Sequence, residues 1–228
     1  MESATLHRAD IASFKPANFS RLAHIYRWLE WFSFGPLLGR CRNAFLGEMK
    51  HRHAALIIGD GDGRFTAHLL DQNPHIEVEA VDSSEAMLLE LIRHSAAHAD
   101  RLKTYNVDAR EFDPARPGYD LIVTHFFLDC LASDEATHLA IRLRRSVDQG
   151  ALWIVSEFAV PETKYGQFVA RPLVATLYWA FGWLTGLRVR QLPDHATALA
   201  HAGFTLVQRR EWLFGLLVSE LWQADRCR

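Results

Sequence analysis

Residues 55–65 read Ala-Leu-Ile-Ile-Gly-Asp-Gly-Asp-Gly-Arg-Phe, and this stretch decides the fold of the chain. Its first four residues are apolar and predict a buried strand. Glycines then occupy every second position, at 59, 61 and 63. Because glycine has no Cβ, such a loop can turn sharply and lie close to a bound molecule. The stretch therefore predicts a strand, a ligand-binding loop and the start of a helix.

The two acidic residues of this loop, Asp60 and Asp62, narrow the chemistry of the ligand. A dinucleotide site presents backbone amides and a helix N-terminus to a pyrophosphate, which carboxylates would repel. The dinucleotide motif also needs a third glycine where this chain has Arg64. We therefore expect a cationic ligand, and an NAD-dependent oxidoreductase is the less favoured alternative.

The loop resembles the first motif of the class I S-adenosylmethionine (SAM)-dependent methyltransferases, acid-x-Gly-x-Gly-x-Gly. The resemblance implies an α/β, Rossmann-like fold with a seven-stranded, mostly parallel sheet, helices on both faces and an N-terminal helical lid. Ile57 replaces the acid that begins the motif. In the family this acid binds the amino group of the methionine part of SAM, so its role has moved to Asp60 or Asp62, or has been lost. If it has been lost, a SAM-binding regulatory or assembly protein without transferase activity becomes the alternative.

A second strand is predicted over residues 76–82, where apolar and polar residues alternate. It ends at Asp82, 19 positions after Gly63. In a doubly wound sheet, a carboxylate at this point can accept hydrogen bonds from both ribose hydroxyls of an adenosine. Ser83 follows it. Asp82 has a second interpretation as the cap of the next helix, with Glu85 completing a capping box.

Residues 102–109 predict a third strand that ends near Asp108 and Ala109. The resemblance implies that Asp108 binds the adenine amino group, and the alternative is an ordinary aspartate that opens a turn. The nearly continuous apolar run of residues 119–127 predicts a fully buried fourth strand containing Thr124 and His125.

His125 is the candidate catalytic base because the fourth strand should end at the reactive end of the cofactor. A histidine has a suitable pKa for this role, which is needed only if the methyl acceptor loses a proton. A hydrogen-bonded structural histidine is the alternative. Asp129, four residues later, either orients His125 or caps the following turn.

Further elements complete the expected sheet. The pattern predicts a helix over residues 133–145, a turn at 148–150 and a buried strand over 151–158. Residues 202–207 and 216–222 resemble the closing strand pair of the methyltransferase family. Residues 19–28 resemble the N-terminal helix of quinone-type C-methyltransferases, which implies that Tyr26 lies near the methionine end of SAM. Packing within that helix is the other interpretation of Tyr26.

Composition excludes several classes of protein. The chain has 228 residues, a net charge of −2 and a pI near 6.6, which argues against a nucleic-acid partner. Its three widely spaced cysteines suggest neither a disulfide framework nor zinc, and they favour the cytoplasm. The pair His94 and His98 has no evident third ligand, so we expect no metal. Residues 172–187 carry no charge but are too few to span a bilayer. A substrate lid is favoured there, with peripheral membrane contact as the alternative.

We therefore predict one methyltransferase domain over residues 1–228. Its parts are a helical cap (1–50), a SAM-binding core (51–158), an apolar lid (159–190) and a closing helix and strand pair (191–228). The substrate is a small, apolar or aromatic methyl acceptor, and the product of the cofactor is S-adenosylhomocysteine (SAH). The acceptor atom and the oligomeric state stay open. The residues expected to bind the cofactor are Tyr26, Gly59, Asp60, Gly61, Asp62, Gly63, Asp82, Ser83, Asp108, Ala109, Thr124 and His125.

Overall fold

The structure is a computed structural model that describes residues 36–114, 117–161 and 194–225. Seven strands in these ranges form one sheet. The strands are β1 (Ala54–Ile58), β2 (Glu77–Asp82), β3 (Leu102–Asn106), β4 (Tyr119–His125), β5 (Val147–Phe158), β6 (Phe204–Trp212) and β7 (Leu217–Ala224). The α-helices are α1 (Pro36–Arg42), α2 (Arg64–Gln72), α3 (Glu85–His94), α4 (Ser133–Arg144) and α5 (His195–His201). Short 3₁₀ helices cover Leu46–Met49, Ala96–Arg101, Leu128–Cys130 and Leu213–Gly215.

The strand order is β3-β2-β1-β4-β5-β7-β6. Strands β1 to β5 pair in parallel, whereas β7 runs antiparallel to both β5 and β6. The predicted α/β fold with a seven-stranded, mostly parallel sheet and a closing strand pair is therefore confirmed. Because the chain reverses its winding between β1 and β4, the carboxyl ends of these two strands border a crevice where ligands bind in open α/β sheets.

Alternate residues of the central strands enter two separate cores, as the period of a β-strand requires. On one face, Ile58 and Trp153 pack with Leu139 of α4 and Leu199 of α5. On the other face, Ile57, Val123 and Ile154 pack with Phe65 and Leu69 of α2. The central strands are covered on both sides, which explains why their sequences are almost continuously apolar.

The turn predicted at residues 148–150 is wrong, because these residues belong to β5. Tyr119 pairs with Val147, but Leu121 pairs with Leu152, so β5 carries three extra residues opposite β4. Gly150 has a φ of 75° within this irregularity. The Asp-Gln-Gly sequence marks a bulge within β5, and the chain stays in the sheet there.

Two expectations fall outside the described residues. These are the N-terminal helix containing Tyr26 and the apolar lid at 172–187. Within the ranges that the structure describes, no helix has both the length and the apolar character needed to cross a membrane.

Candidate functional site

The glycine loop leaves β1 at the crevice between β1 and β4, and each glycine has a left-handed backbone. The φ angles of Gly59, Gly61 and Gly63 are 70°, 65° and 77°. A Cβ on Gly59 would lie 2.7 Å from a ring carbon of Phe127, whereas a Cβ on Gly61 would meet no atom within 4 Å. The outer two glycines are therefore needed for packing, and Gly61 borders open space where a ligand can approach the backbone.

Asp60 is buried inside this loop, with 5% of its surface exposed. Its Oδ2 accepts hydrogen bonds from the backbone N–H and the hydroxyl of Thr66, at 2.9 and 2.6 Å. Its Oδ1 is buried and has no hydrogen-bond partner among the described residues. Burial raises the pKa of Asp60 to about 6, although the Thr66 hydrogen bonds and the charge of Arg42 oppose the rise. At neutral pH the Asp60 side chain is thus an anion with one acceptor available.

Asp62 has a different environment from Asp60. Its carboxylate lies 2.9 Å from the guanidinium of Arg64 in a partly exposed ion pair. Of the two acids that could replace the missing acid at Ile57, only Asp60 has a buried oxygen without a donor among the described residues. Ile57 itself is in the apolar core beside α2.

Asp82 lies at the end of β2, next to the glycine loop. The N–H of Gly59 donates to the carbonyl of Val81 at 3.0 Å, which joins the loop to this strand. Asp82 Oδ1 accepts from the N–H of Ser84 at 2.8 Å, and burial raises the pKa of the Asp82 carboxyl. Ser84 caps α3, so the interpretation of Asp82 as the helix cap is wrong. Ser83, between them, is exposed.

Asp108 follows β3, and both of its carboxylate oxygens face Arg110. The Arg110 guanidinium donates to Oδ1 at 3.0 Å and to Oδ2 at 2.7 Å, and these hydrogen bonds lower the pKa of Asp108. Arg110 also contacts Glu135 at 3.2 Å. The neighbouring Ala109 is buried. A ligand at Asp108 would therefore have to share this carboxylate with an exposed arginine.

The end of β4 carries Thr124 and His125 on opposite faces of the sheet. The Thr124 hydroxyl accepts from the indole N–H of Trp153 at 3.0 Å. The His125 ring contacts the Phe65 ring edge to face, with centroids 4.5 Å apart. Neither nitrogen of the buried His125 ring has a hydrogen-bond partner among the described residues. Burial, followed by the charge of Arg42, holds the pKa of His125 well below its usual range, so the ring is neutral.

Glu157, a residue that the sequence analysis missed, lies near Asp129. Glu157 is buried at the end of β5, where its Oε1 accepts from the N–H groups of Phe127 and Leu128 at 3.1 and 2.8 Å. Burial and the adjacent Asp129 raise the pKa of Glu157 well above its usual range. The Oε2 of Glu157 is buried and has no hydrogen-bond partner among the described residues. In the sequence, Glu157 could have been found as an acidic residue near the end of an apolar strand.

Arg42 is the second residue that sequence reasoning missed. It ends α1, and its Cζ lies 5.4 Å from the centre of the Phe126 ring. Its positive charge acts on both Asp60 and His125. No motif marked Arg42, because α1 is short and lies outside the strand-and-loop pattern. Within the described ranges, no group of three or more His, Cys, Asp or Glu side chains could hold a metal ion.

The part of the chain that forms this crevice is similar to a known family. Residues 56–152 match the family described as "Methyltransferase domain". Over these residues the chain is therefore similar to a methyltransferase domain. The matched residues include the glycine loop, Asp82, Asp108, His125 and Asp129. Arg42 and Glu157 lie outside the matched residues. A search of curated protein sequences gave no match.

Solved structures with a similar fold include three methyltransferases at low sequence identity. An O-methyltransferase family protein from Burkholderia thailandensis is 16% identical, with a TM-score of 0.67 over 91% of this chain and 62% of that one. The mitomycin 7-O-methyltransferase is 17% identical, with a TM-score of 0.67 over 91% of this chain and 60% of that one. This chain thus spans about three fifths of each.

The third is the N-methyltransferase NodS from Bradyrhizobium japonicum WM9 in complex with SAH. It is 15% identical to this chain, with a TM-score of 0.62 over 83% of this chain and 88% of that one. At these identities the likeness shows the fold alone.

Proposed function

We propose that this protein transfers a methyl group from SAM to a small apolar or aromatic molecule. The main support for the proposal is the geometry of the glycine loop. The loop has open space at Gly61 and a buried carboxylate oxygen on Asp60 that accepts no hydrogen bond from the described residues. SAM has a cationic sulfonium and an α-ammonium group, and an anionic loop attracts both. The SAH complex of NodS, a protein of the same fold, supports this ligand class.

The residues of the crevice fit the parts of such a cofactor. Asp82 would accept hydrogen bonds from the ribose hydroxyls through the oxygen that Ser84 leaves available. Asp108 and Ala109 would lie beside the adenine, with Arg110 moving or sharing the Asp108 carboxylate. When bound, SAM supplies an electrophilic methyl group on a good leaving group, so alignment provides much of the rate enhancement.

His125 is the proposed proton acceptor. A base must be unprotonated to act, and the lowered pKa of His125 keeps the ring neutral. Both ring nitrogens also lack hydrogen-bond partners among the described residues, which leaves a lone pair available to an acceptor molecule. Asp129 does not hydrogen-bond this ring, because neither ring nitrogen has a partner among the described residues. We therefore propose that Asp129 and Glu157 hold the loop after β4 in place.

The acceptor class and the cellular setting are parts of the same proposal. The aromatic residues at 165, 178, 179, 181 and 183 motivate an apolar or aromatic acceptor. The cysteine pattern favours the cytoplasm. The second candidate function is SAM binding without transfer, because Ile57 occupies the position of the usual acid and is buried in the core.

Two measurements test the proposal. Calorimetry should detect SAM and SAH binding and no NAD binding. Micromolar affinity for NAD without detectable SAM binding would overturn it. Isotope-labelled SAM, incubated with a panel of small phenols, amines and thiols and analysed by mass spectrometry, should then yield a labelled product. SAM binding with no transfer to any acceptor would favour the regulatory alternative.

A further inference from the structure

The histidines at 94 and 98, which have the spacing of a metal pair, make two different contacts. His98 Nε2 lies 2.5 Å from Asp71 Oδ1 on α2, and Arg101 donates to its Nδ1 at 2.9 Å. His94, one turn earlier at the end of α3, places its Nδ1 2.8 Å from the backbone carbonyl of Asp62 in the glycine loop. The two rings therefore share no ligand, and of the two only His94 reaches the loop.

The contacts of His94 fix which of its ring nitrogens carries the proton. A backbone carbonyl only accepts hydrogen bonds, so Nδ1 must donate to Asp62. An arginine side chain only donates, so Nε2 must accept from Arg93 Nη2, 3.2 Å away. Arg93 is itself held by Glu90, whose Oε2 accepts from its guanidinium at 2.5 and 3.1 Å. Both contacts of the ring thus require the Nδ1–H tautomer.

The middle of the glycine loop has a wide choice of backbone conformations, because Asp62 stands between Gly61 and Gly63. Glycine adopts positive and negative φ about equally readily. The described residues make one hydrogen bond to the backbone of Gly61 and Asp62, and His94 donates it. Gly61 also borders open space, since a Cβ there would meet no atom within 4 Å. The part of the loop that borders open space is therefore held from α3, in the crossover between β2 and β3.

We propose that His94 is a positioning residue for SAM. Its Nδ1–H holds the Asp62 carbonyl towards α3 and so keeps the middle of the glycine loop in the conformation that binds the cofactor. This inference rests on the proposed function. A loop that is ordered before binding favours affinity, because the ligand does not have to supply the free energy of ordering it. His94 thus acts through the loop and does not contact the cofactor.

The tautomer of His94 can be tested without a ligand. Above about pH 8, where histidine side chains are neutral, NMR of the protein with isotope-labelled histidine distinguishes the Nδ1–H form from the Nε2–H form. The signal of His94 is assigned by its loss in His94→Asn. We expect the Nδ1–H form. An Nε2–H form would overturn the inference, because such a ring could not donate to Asp62.

Three substitutions separate the hydrogen bond from the packing of the ring. His94→Asn keeps an N–H donor near the position of Nδ1, whereas His94→Leu has no donor. His98→Leu is the matched control, because it removes the neighbouring ring and its contact with Asp71 on α2 but no contact with the loop. Calorimetry would measure the SAH affinity of the wild type and each variant, and thermal melting would measure their stability.

His94→Leu should weaken SAH binding about 3- to 10-fold, the range for losing one neutral hydrogen bond. His94→Asn should stay within about two-fold of the wild type, because its amide replaces the donor. His98→Leu should also stay within about two-fold, even if its Tm falls as far as that of His94→Leu.

The outcomes distinguish the inference from the function beneath it. Wild-type SAH affinity in His94→Leu, with or without a lower Tm, would overturn the inference and leave the proposed function standing. Equal losses in His94→Leu and His94→Asn would overturn it as well, since the donor would then not matter. An equal loss in His98→Leu would do the same, because affinity would then follow stability. A wild type that does not bind SAH would overturn the proposed function and the inference together.

Discussion

A Cβ on Gly63 would lie 2.5 Å from the Cα of Leu91, so the glycine loop and α3 touch through backbone. Gly63→Ala must move α3 and adopt a strained φ of 77°. We expect it to lower the free energy of unfolding by about 2–5 kcal/mol, combining overpacking with left-handed strain. Urea unfolding would measure this loss.

Gly61→Ala is the matched comparison, because its Cβ would enter open space. Its cost in stability should be only the strain of about 1–2 kcal/mol. The new methyl group should nevertheless weaken SAM binding, because it stands where the ligand approaches the loop. Full affinity in Gly61→Ala would mean that SAM does not approach the backbone at this position.

Asp82→Ala should weaken SAM binding by about 1.5–3 kcal/mol if the carboxylate holds the ribose hydroxyls. Ser84→Ala is the control, since it removes the cap of α3 and should cost about 1 kcal/mol of stability with little change in affinity. Calorimetry and thermal melting would be run on both. If the two variants lose affinity equally, Asp82 acts only through the helix start.

His125→Gln should reduce turnover by about 10²–10⁴-fold when the acceptor is a hydroxyl, and should leave SAM affinity within a few-fold. Because the pKa of His125 is well below its usual range, the acid limb of kcat/KM should also lie below that range. A joint loss of SAM binding and thermal stability would identify His125 as a structural residue.

Much of this site could be predicted from the sequence, because its signals are local. The glycine spacing and the acid ending β2 sit within short segments whose geometry any parallel sheet of this order reproduces. Glu157 and Arg42 could not be identified in this way. The roles of Glu157 and Arg42 depend on residues that are distant in the sequence. These are Phe127, Leu128 and Asp129 for Glu157, and Asp60 for Arg42. The bulge at Gly150 was misread as a turn because both use a glycine with positive φ.

Glu157 and Glu220 are buried on neighbouring strands, and we expect them to change the stability of the fold with pH in opposite directions. Glu220 is considered first. It accepts hydrogen bonds from His195 at 3.0 Å, Arg209 at 2.9 Å and Trp222 at 2.9 Å. Burial alone would raise the pKa of Glu220, but these partners hold it below its usual value. Its ionised form therefore stabilises the fold above the unfolded-state pKa, and this stabilisation is lost as pH falls through the lower folded-state pKa.

Glu220→Gln should thus lower the Tm by several degrees at pH 7, where about 1 kcal/mol corresponds to roughly 2–4 °C at this chain length. The difference from the wild type should shrink as the pH falls below about 4. Calorimetric melts between about pH 2 and 8 would measure this change. A deficit that stays constant with pH would show that only packing was lost.

Glu157 should behave in the reverse way, because the folded state raises its pKa. The stabilisation from its bound proton is fully present below the unfolded-state pKa and is lost as pH rises through the folded-state value. In Glu157→Gln, the side-chain amide can still donate a hydrogen bond to Asp129, but it does not titrate. Its Tm should therefore vary less between pH 5 and 8 than that of the wild type. A steeper dependence in the variant would contradict the raised pKa of Glu157.

The late position of the antiparallel strand β7 in the chain affects how the sheet forms while the polypeptide is being synthesised. It pairs with both β5 and β6, and it follows both in the chain. While the polypeptide is being synthesised, the apolar segment from Leu152 to Phe158 already pairs with β4 on one side, but its other edge stays open until residues 217–224 have been made. An uncovered apolar edge invites pairing with other nascent chains. Chaperone demand during translation should therefore be concentrated in the interval between these two segments.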